Sequence, residues 1–182
     1  MTQCVALFRG INVGTAKRVA MADLRALFER LGYGDVRTLL NSGNVVFTAP
    51  GKGAAGVAAR IEKEVAKRLG VASRVTVVTA KELGEAVRKN PLRDVADDDA
   101  RLLVLLPADG KALAELKPLA KQDWKPERIA LGRHAAWLWC AGGIHKSALW
   151  AAVNRALGDR GTSRNMATAA KLLALCEEPG EA

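Results

Sequence analysis

Arg9, Asn12, Lys17 and Arg18 stand close together around two glycines, Gly10 and Gly14, with no acidic residue before Asp23. Backbone N–H groups in a glycine-containing turn can converge on an anion, and nearby cations hold it by charge. The chemistry that suits these residues is the binding of a phosphate or carboxylate. The string is not a P-loop, which needs four residues between its glycines, Lys-Ser/Thr directly after the second, and a helix opening at once. Here three residues intervene and Thr15-Ala16 precede Lys17. A tight turn carrying solvated charges is the simpler alternative.

Two further strings invite the same pair of readings. Asn41-Ser42-Gly43-Asn44 has the small polar residues and glycine of a hairpin turn. Thr162-Ser163-Arg164-Asn165 reads as an N-cap followed by the start of a helix. A cation in a first helical turn opposes the helix dipole, so Arg164 points to an anionic ligand or a nearby carboxylate. The candidate ligand-binding residues are therefore Arg9, Asn12, Lys17, Asn41, Ser42, Asn44, Thr162, Arg164 and Asn165.

Other chemistries find less support. Cys4, Cys140 and Cys176 lie in apolar runs without CxxC spacing, as buried thiols of a reducing compartment do. His134 and His145 are the only histidines and lack ligands at metal spacing, so no metal and no cofactor is expected. His145, in a Gly-Gly-Ile-His-Lys loop, could act as a general base but reads better as a surface residue. Asp97-Asp98-Asp99 lacks the alternating ligands and glycine of a calcium loop and reads as a solvated connector. Trp137 and Trp139 share one strand face, which suits a core better than a stacking platform.

These residues must be positioned by a chain of 182 residues with 49% hydrophobic and 26% charged content, which is globular usage. The net charge is +9, and it is uneven. Residues 1–78 carry a net +7 and residues 110–176 another +7, while 79–109 are slightly acidic at −2 and Glu177 to Ala182 add −3. The longest apolar run, Leu102 to Pro107, is too short to cross a bilayer, and the N-terminus has no basic leader. A cytoplasmic protein without a membrane partner is expected.

Hydrophobic period gives the elements. Cys4–Arg9 reads as a strand with Cys4, Ala6 and Phe8 on one face and Val5 and Leu7 on the other. A helix is expected over 21–31, two strands over 36–40 and 44–48, a helix from about 54 to 69 and a strand over 74–79. That order, βαββαβ, is the ferredoxin-like arrangement. After a short helix at 81–89 come a strand at 101–106, a helix at 110–116 ended by Pro118, and a strand pair at 128–131 and 135–139. Helices at 147–157 and about 164–175 complete the chain. The expected fold is α+β: two ferredoxin-like halves packed together, with antiparallel sheets and helices. Their bounds are 1–79 and 101–176, with a connector at 80–100 and an acidic tail at 177–182.

Several strings also carry a resemblance. Phe8-Arg9-Gly10-Ile11-Asn12-Val13-Gly14, Met21-Ala22-Asp23-Leu24-Arg25, Asn41-Ser42-Gly43-Asn44-Val45-Val46-Phe47 and Thr162-Ser163-Arg164-Asn165-Met166-Ala167-Thr168 resemble the bacterial family called domain of unknown function 1697. The resemblance spans residue 5 to about 175 and departs from the family pattern at Lys17 and Met166. It implies two ferredoxin-like halves and no known reaction or cofactor.

The functional expectation is a module that binds a small anionic or phosphate-containing ligand in a cleft between the two halves. An enzyme of phosphoryl or acyl transfer and a structural or oligomeric module are the alternatives, and whether the chain is an enzyme stays open. A basic βαββαβ half is also the topology of an RNA-recognition motif, but Asn44-Val45-Val46-Phe47 offers one aromatic where that motif stacks several. Base-specific RNA binding is not expected; nonspecific contact with nucleic acid and the oligomeric state are open.

Overall fold

The structure, a computed structural model, describes residues 1–15, 17–51 and 56–178. Two compact units emerge: Met1–Lys81 with Leu172–Ala182, and Glu82–Lys171. Each holds a four-stranded antiparallel sheet of the same order.

In the first unit the elements are β1 (Thr2–Phe8), α1 (Met21–Arg30), β2 (Gly34–Leu39), β3 (Asn44–Ala49), α2 (Val57–Leu69) and β4 (Val75–Thr79). The sheet order is β2-β3-β1-β4, so β1 and β3 are central neighbours, with Leu7 opposite Asn44 and Cys4 opposite Phe47. Cys4 to Phe8 are all buried, which covers both faces of β1. One face of the sheet packs against the apolar stripes of α1 and α2, Leu24, Leu27 and Phe28 meeting Ile61 and Val65. Phe28 lies edge-on to Phe47 at a centroid distance of 5.0 Å, and Tyr33 lies 4.9 Å from Phe47. Such pairs add to simple burial by about 0.5–1.5 kcal/mol each. The start expected for α2 near residue 54 falls outside the described residues.

The second unit repeats the pattern with β5 (Leu102–Pro107), α4 (Gly110–Ala114), α5 (Lys117–Ala120), β6 (Arg128–Leu131), β7 (Ala136–Trp139), α6 (Ala148–Leu157) and β8 (Gly161–Asn165), in the order β6-β7-β5-β8. Its core joins Leu103, Leu105 and Leu138 to Leu149, Val153 and Leu157 of α6. Ser147 caps α6 by accepting from the Trp150 N–H at 2.9 Å.

The structure corrects four expectations. Residues 161–165 form β8, not the opening of the last helix, because their backbone completes the ladder on β5 from Pro107–Gly161 to Leu103–Asn165. The last helix, α7, runs Met166–Glu177 and is capped by Asn165, whose Oδ1 accepts from the Thr168 N–H at 2.9 Å. Leu40 leaves its strand, since its φ of 57° is left-handed and cannot continue a β ladder. Pro118 does not end a helix; it sits in the first turn of α5, where its missing N–H costs nothing.

The stretch expected as a connector belongs to the second unit from Glu82 onward. Within it α3 (Ala80–Arg88) buries Leu83 and Ala86, and the Trp137 indole donates to the Ala86 carbonyl at 2.8 Å. From Leu172 the last helix belongs to the first unit, where Glu178 lies 3.9 Å from Arg37 of β2. Of the expected acidic tail, residues 179–182 lie outside the described residues. Among the described residues no helix is long and apolar enough to cross a membrane.

Loss of the Asn165 cap is expected to cost about 1 kcal/mol in Asn165→Ala, with Asn165→Asp or Asn165→Ser close to wild type. Urea unfolding of the three variants measures this. An equal loss in all three would show that Asn165 does something other than cap.

Candidate functional site

Six of the nine candidates belong to the first unit and three to the second. Each group stands on its own geometry.

In the first unit the chain leaves β1, plugs the core with Ile11, and makes an excursion that returns at buried Val19. Asn12 closes that excursion. Its Nδ2 donates to the Val19 carbonyl at 2.9 Å and its Oδ1 accepts from the Val19 N–H at 2.8 Å. The same Nδ2 donates to the Asn41 carbonyl at 2.7 Å, tying the loop after β1 to the β2–β3 turn. The Asn12 φ of 54° is left-handed, which asparagine tolerates better than most residues. A second tie is the Phe8 N–H donating to Gly43 O at 2.9 Å.

Asn44 plays the corresponding part in the turn. It is fully buried, and its Nδ2 donates to the Leu39 carbonyl at 2.8 Å and to Ser42 Oγ at 2.9 Å. The side-chain donors of Asn12 and Asn44 are thus engaged within the protein itself. Arg9 is half-buried, with its N–H donating to the Arg74 carbonyl and its carbonyl accepting from Ser73 Oγ, both at 2.9 Å. Lys17 and Arg18 are exposed, and among the described residues neither side chain joins an ion pair.

Where these loops meet α1 they leave a cavity of about 430 Å³ lined by Asn12, Arg18, Val19, Ala20, Met21 and Asn41. None of those residues is acidic. The helix it abuts has Ala20 at its N-cap, and no side chain caps it. The N–H groups of Met21, Ala22 and Asp23 precede the first intrahelical bond, from the Leu24 N–H to the Ala20 carbonyl at 3.1 Å. A partial positive charge therefore lies at the same end of α1 as the Arg18 guanidinium.

The second group is organised differently. Thr162 is buried, and Arg164 Nη1 donates to Thr162 Oγ1 at 3.0 Å and to the Ser163 carbonyl at 2.8 Å. Burial pushes the Arg164 guanidinium down to about 10, so it remains protonated at neutral pH. Because Arg164 lies in a strand, the unfavourable helix-dipole contact that pointed to an anion there does not exist. Asn165 is engaged as the cap of α7.

The remaining chemistry is quiet. All three cysteines are free and buried, and burial raises the thiols of Cys140 and Cys176, the latter to about 11. Thiols held protonated in this way are poor nucleophiles. Among the described residues no cluster of His, Cys, Asp or Glu could hold a metal ion.

Two ferredoxin-like units, each with its own apolar core, define an α+β protein whose polar loops at β1, the β2–β3 turn and the start of α1 gather at one end of the first sheet. The chain belongs to the family described as protein of unknown function (DUF1697), whose sequence model matches residues 1–137. Its structure is similar to that of a conserved bacterial protein from Streptococcus pneumoniae, with a TM-score of 0.77 and 23% identity over 96% of this chain and 98% of that one. At that identity the likeness carries the fold. No curated protein matches the chain.

Arg18 is the residue that motif reasoning undervalued. It was visible as a cation beside Lys17, but only the fold shows that it borders a cavity at a helix start.

Proposed function

We propose that the first unit binds a small anion, a phosphate or carboxylate group, in the cavity at the start of α1. The observation that supports this most is the meeting of Arg18 with an uncapped helix N-terminus at a cavity lined by no acidic residue. Free N–H groups and a guanidinium together offer charge-assisted hydrogen bonds to an anion. In this reading Asn12 and Asn41 shape the cavity wall, their mutual bond holding the loops apart from the ligand. Lys17 adds long-range attraction.

The cavity is lined by neither a carboxylate nor an imidazole, so it lacks a general acid or base and favours binding over turnover. The structural alternative is favoured only locally, at Asn12, Asn44 and Asn165, whose side chains hydrogen-bond within the protein.

A thermal-shift titration with phosphate, sulfate and nucleotides tests the proposal, with sodium chloride at matched ionic strength as the control. A ligand at 100 times its dissociation constant stabilises the protein by about 2.7 kcal/mol. The shift should be present in wild type and largely absent in Arg18→Ala, whose exposed side chain leaves the fold intact. Equal shifts in both proteins, or the same shift with chloride, would count against it.

A further inference from the structure

A second cavity, of about 360 Å³, lies wholly within the second unit between α3 and the tip of the β6–β7 hairpin. That volume falls within the range of small-molecule pockets, about 300–1,000 Å³. Its apolar floor comes from the buried Ala135 and Trp137, with Leu131 and the exposed Pro91 beside them. The Trp137 indole is held by its bond to the Ala86 carbonyl at 2.8 Å, and its ring passes so close to Gly132 that a Cβ there would stand 2.7 Å from it.

The rim carries charge. Lys89 and Glu85 pair with each other at 3.5 Å and cancel. Arg133 is exposed, and among the described residues its guanidinium joins no ion pair, which leaves one net positive charge beside His134. A guanidinium matches a carboxylate in a two-point, planar fork. One such cation over an apolar floor is complementary to one anionic head on a hydrocarbon body.

We propose that this cavity binds a small carboxylic acid with an apolar body, its carboxylate on Arg133 and its hydrocarbon over Leu131, Ala135 and Trp137. The site is separate from the cavity at α1 and stands or falls independently of it.

Calorimetric titration of the full chain with benzoate and hexanoate tests the proposal, with acetate supplying the head alone and benzyl alcohol the body alone. Saturable binding of at least one of the two larger acids is expected, with acetate and benzyl alcohol weaker by about tenfold or more. Arg133→Ala should weaken that acid by about tenfold or more and Arg133→Lys should recover part of the loss, all measured on an Arg18→Ala background so that carboxylate binding at the cavity of α1 does not contribute. No saturable binding of either acid, equal binding of acetate, or wild-type affinity in Arg133→Ala would overturn the proposal.

Discussion

Gly43→Ala is expected to cost roughly 3 kcal/mol or more of stability, from a left-handed backbone and from steric overlap together. Gly43 has a φ of 78°, where a side chain is strained. The added Cβ would stand 2.6 Å from Ile11 Cδ1 and 2.7 Å from Phe8 Cβ. Phe8 Cβ is fixed to the central strand and cannot swing aside, so the loop itself must move. Gly10→Ala separates the two effects. Its φ is 67° but nothing lies within 4 Å of the added atom, so only the backbone cost of about 1 kcal/mol should appear. Urea unfolding followed by circular dichroism measures both, and equal losses would show that the packing contact is unimportant. All four tryptophans lie in the second unit, so their fluorescence reports separately on that half.

Asn12→Ala is the second large effect, expected at about 2–4 kcal/mol. It removes two donations and one acceptance that hold the loop, each worth about 1 kcal/mol net, and puts alanine at a left-handed position. Asn12→Asp discriminates among these terms. It keeps the acceptor for the Val19 N–H but turns a carboxylate oxygen towards the Val19 and Asn41 carbonyls. The aspartate variant should therefore lose about as much as alanine. A near-wild-type Asn12→Asp would mean that the two donated bonds contribute little.

Much of the fold was legible because its signals are local. The short unbroken apolar run Cys4–Phe8, the helical stripe of Leu24, Leu27 and Phe28, and the turn residues Asn41-Ser42-Gly43 each declare their element without help from distant residues. β8 was not legible for the opposite reason. Gly161-Thr162-Ser163-Arg164-Asn165 has no apolar alternation, and it is a strand because β5 offers it a backbone ladder. Ladder partners far apart in sequence leave little trace in the strand that joins them.

The candidate site was legible in part. The loops after β1 and before β3 come together as the antiparallel pairing of those strands requires. The roles within them were hidden, because asparagine side chains that bond to backbone look the same in a sequence as asparagines that await a ligand. Asn12 and Asn44 show the first behaviour. Whether a loop cation borders a cavity is a three-dimensional property, so Arg18 could be named but not ranked.

The central claim is that an anion sits on the free amides that open α1, beside Arg18. The most direct measurement is a phosphate titration of uniformly nitrogen-15-labelled protein, read as amide chemical shifts at constant ionic strength. The account predicts that the largest saturable shifts fall on the Met21, Ala22 and Asp23 amides, that the Arg18 side chain follows them, and that Arg18→Ala abolishes the saturation. Shifts spread evenly over the basic surface, or centred elsewhere while Met21 to Asp23 stay still, would contradict it.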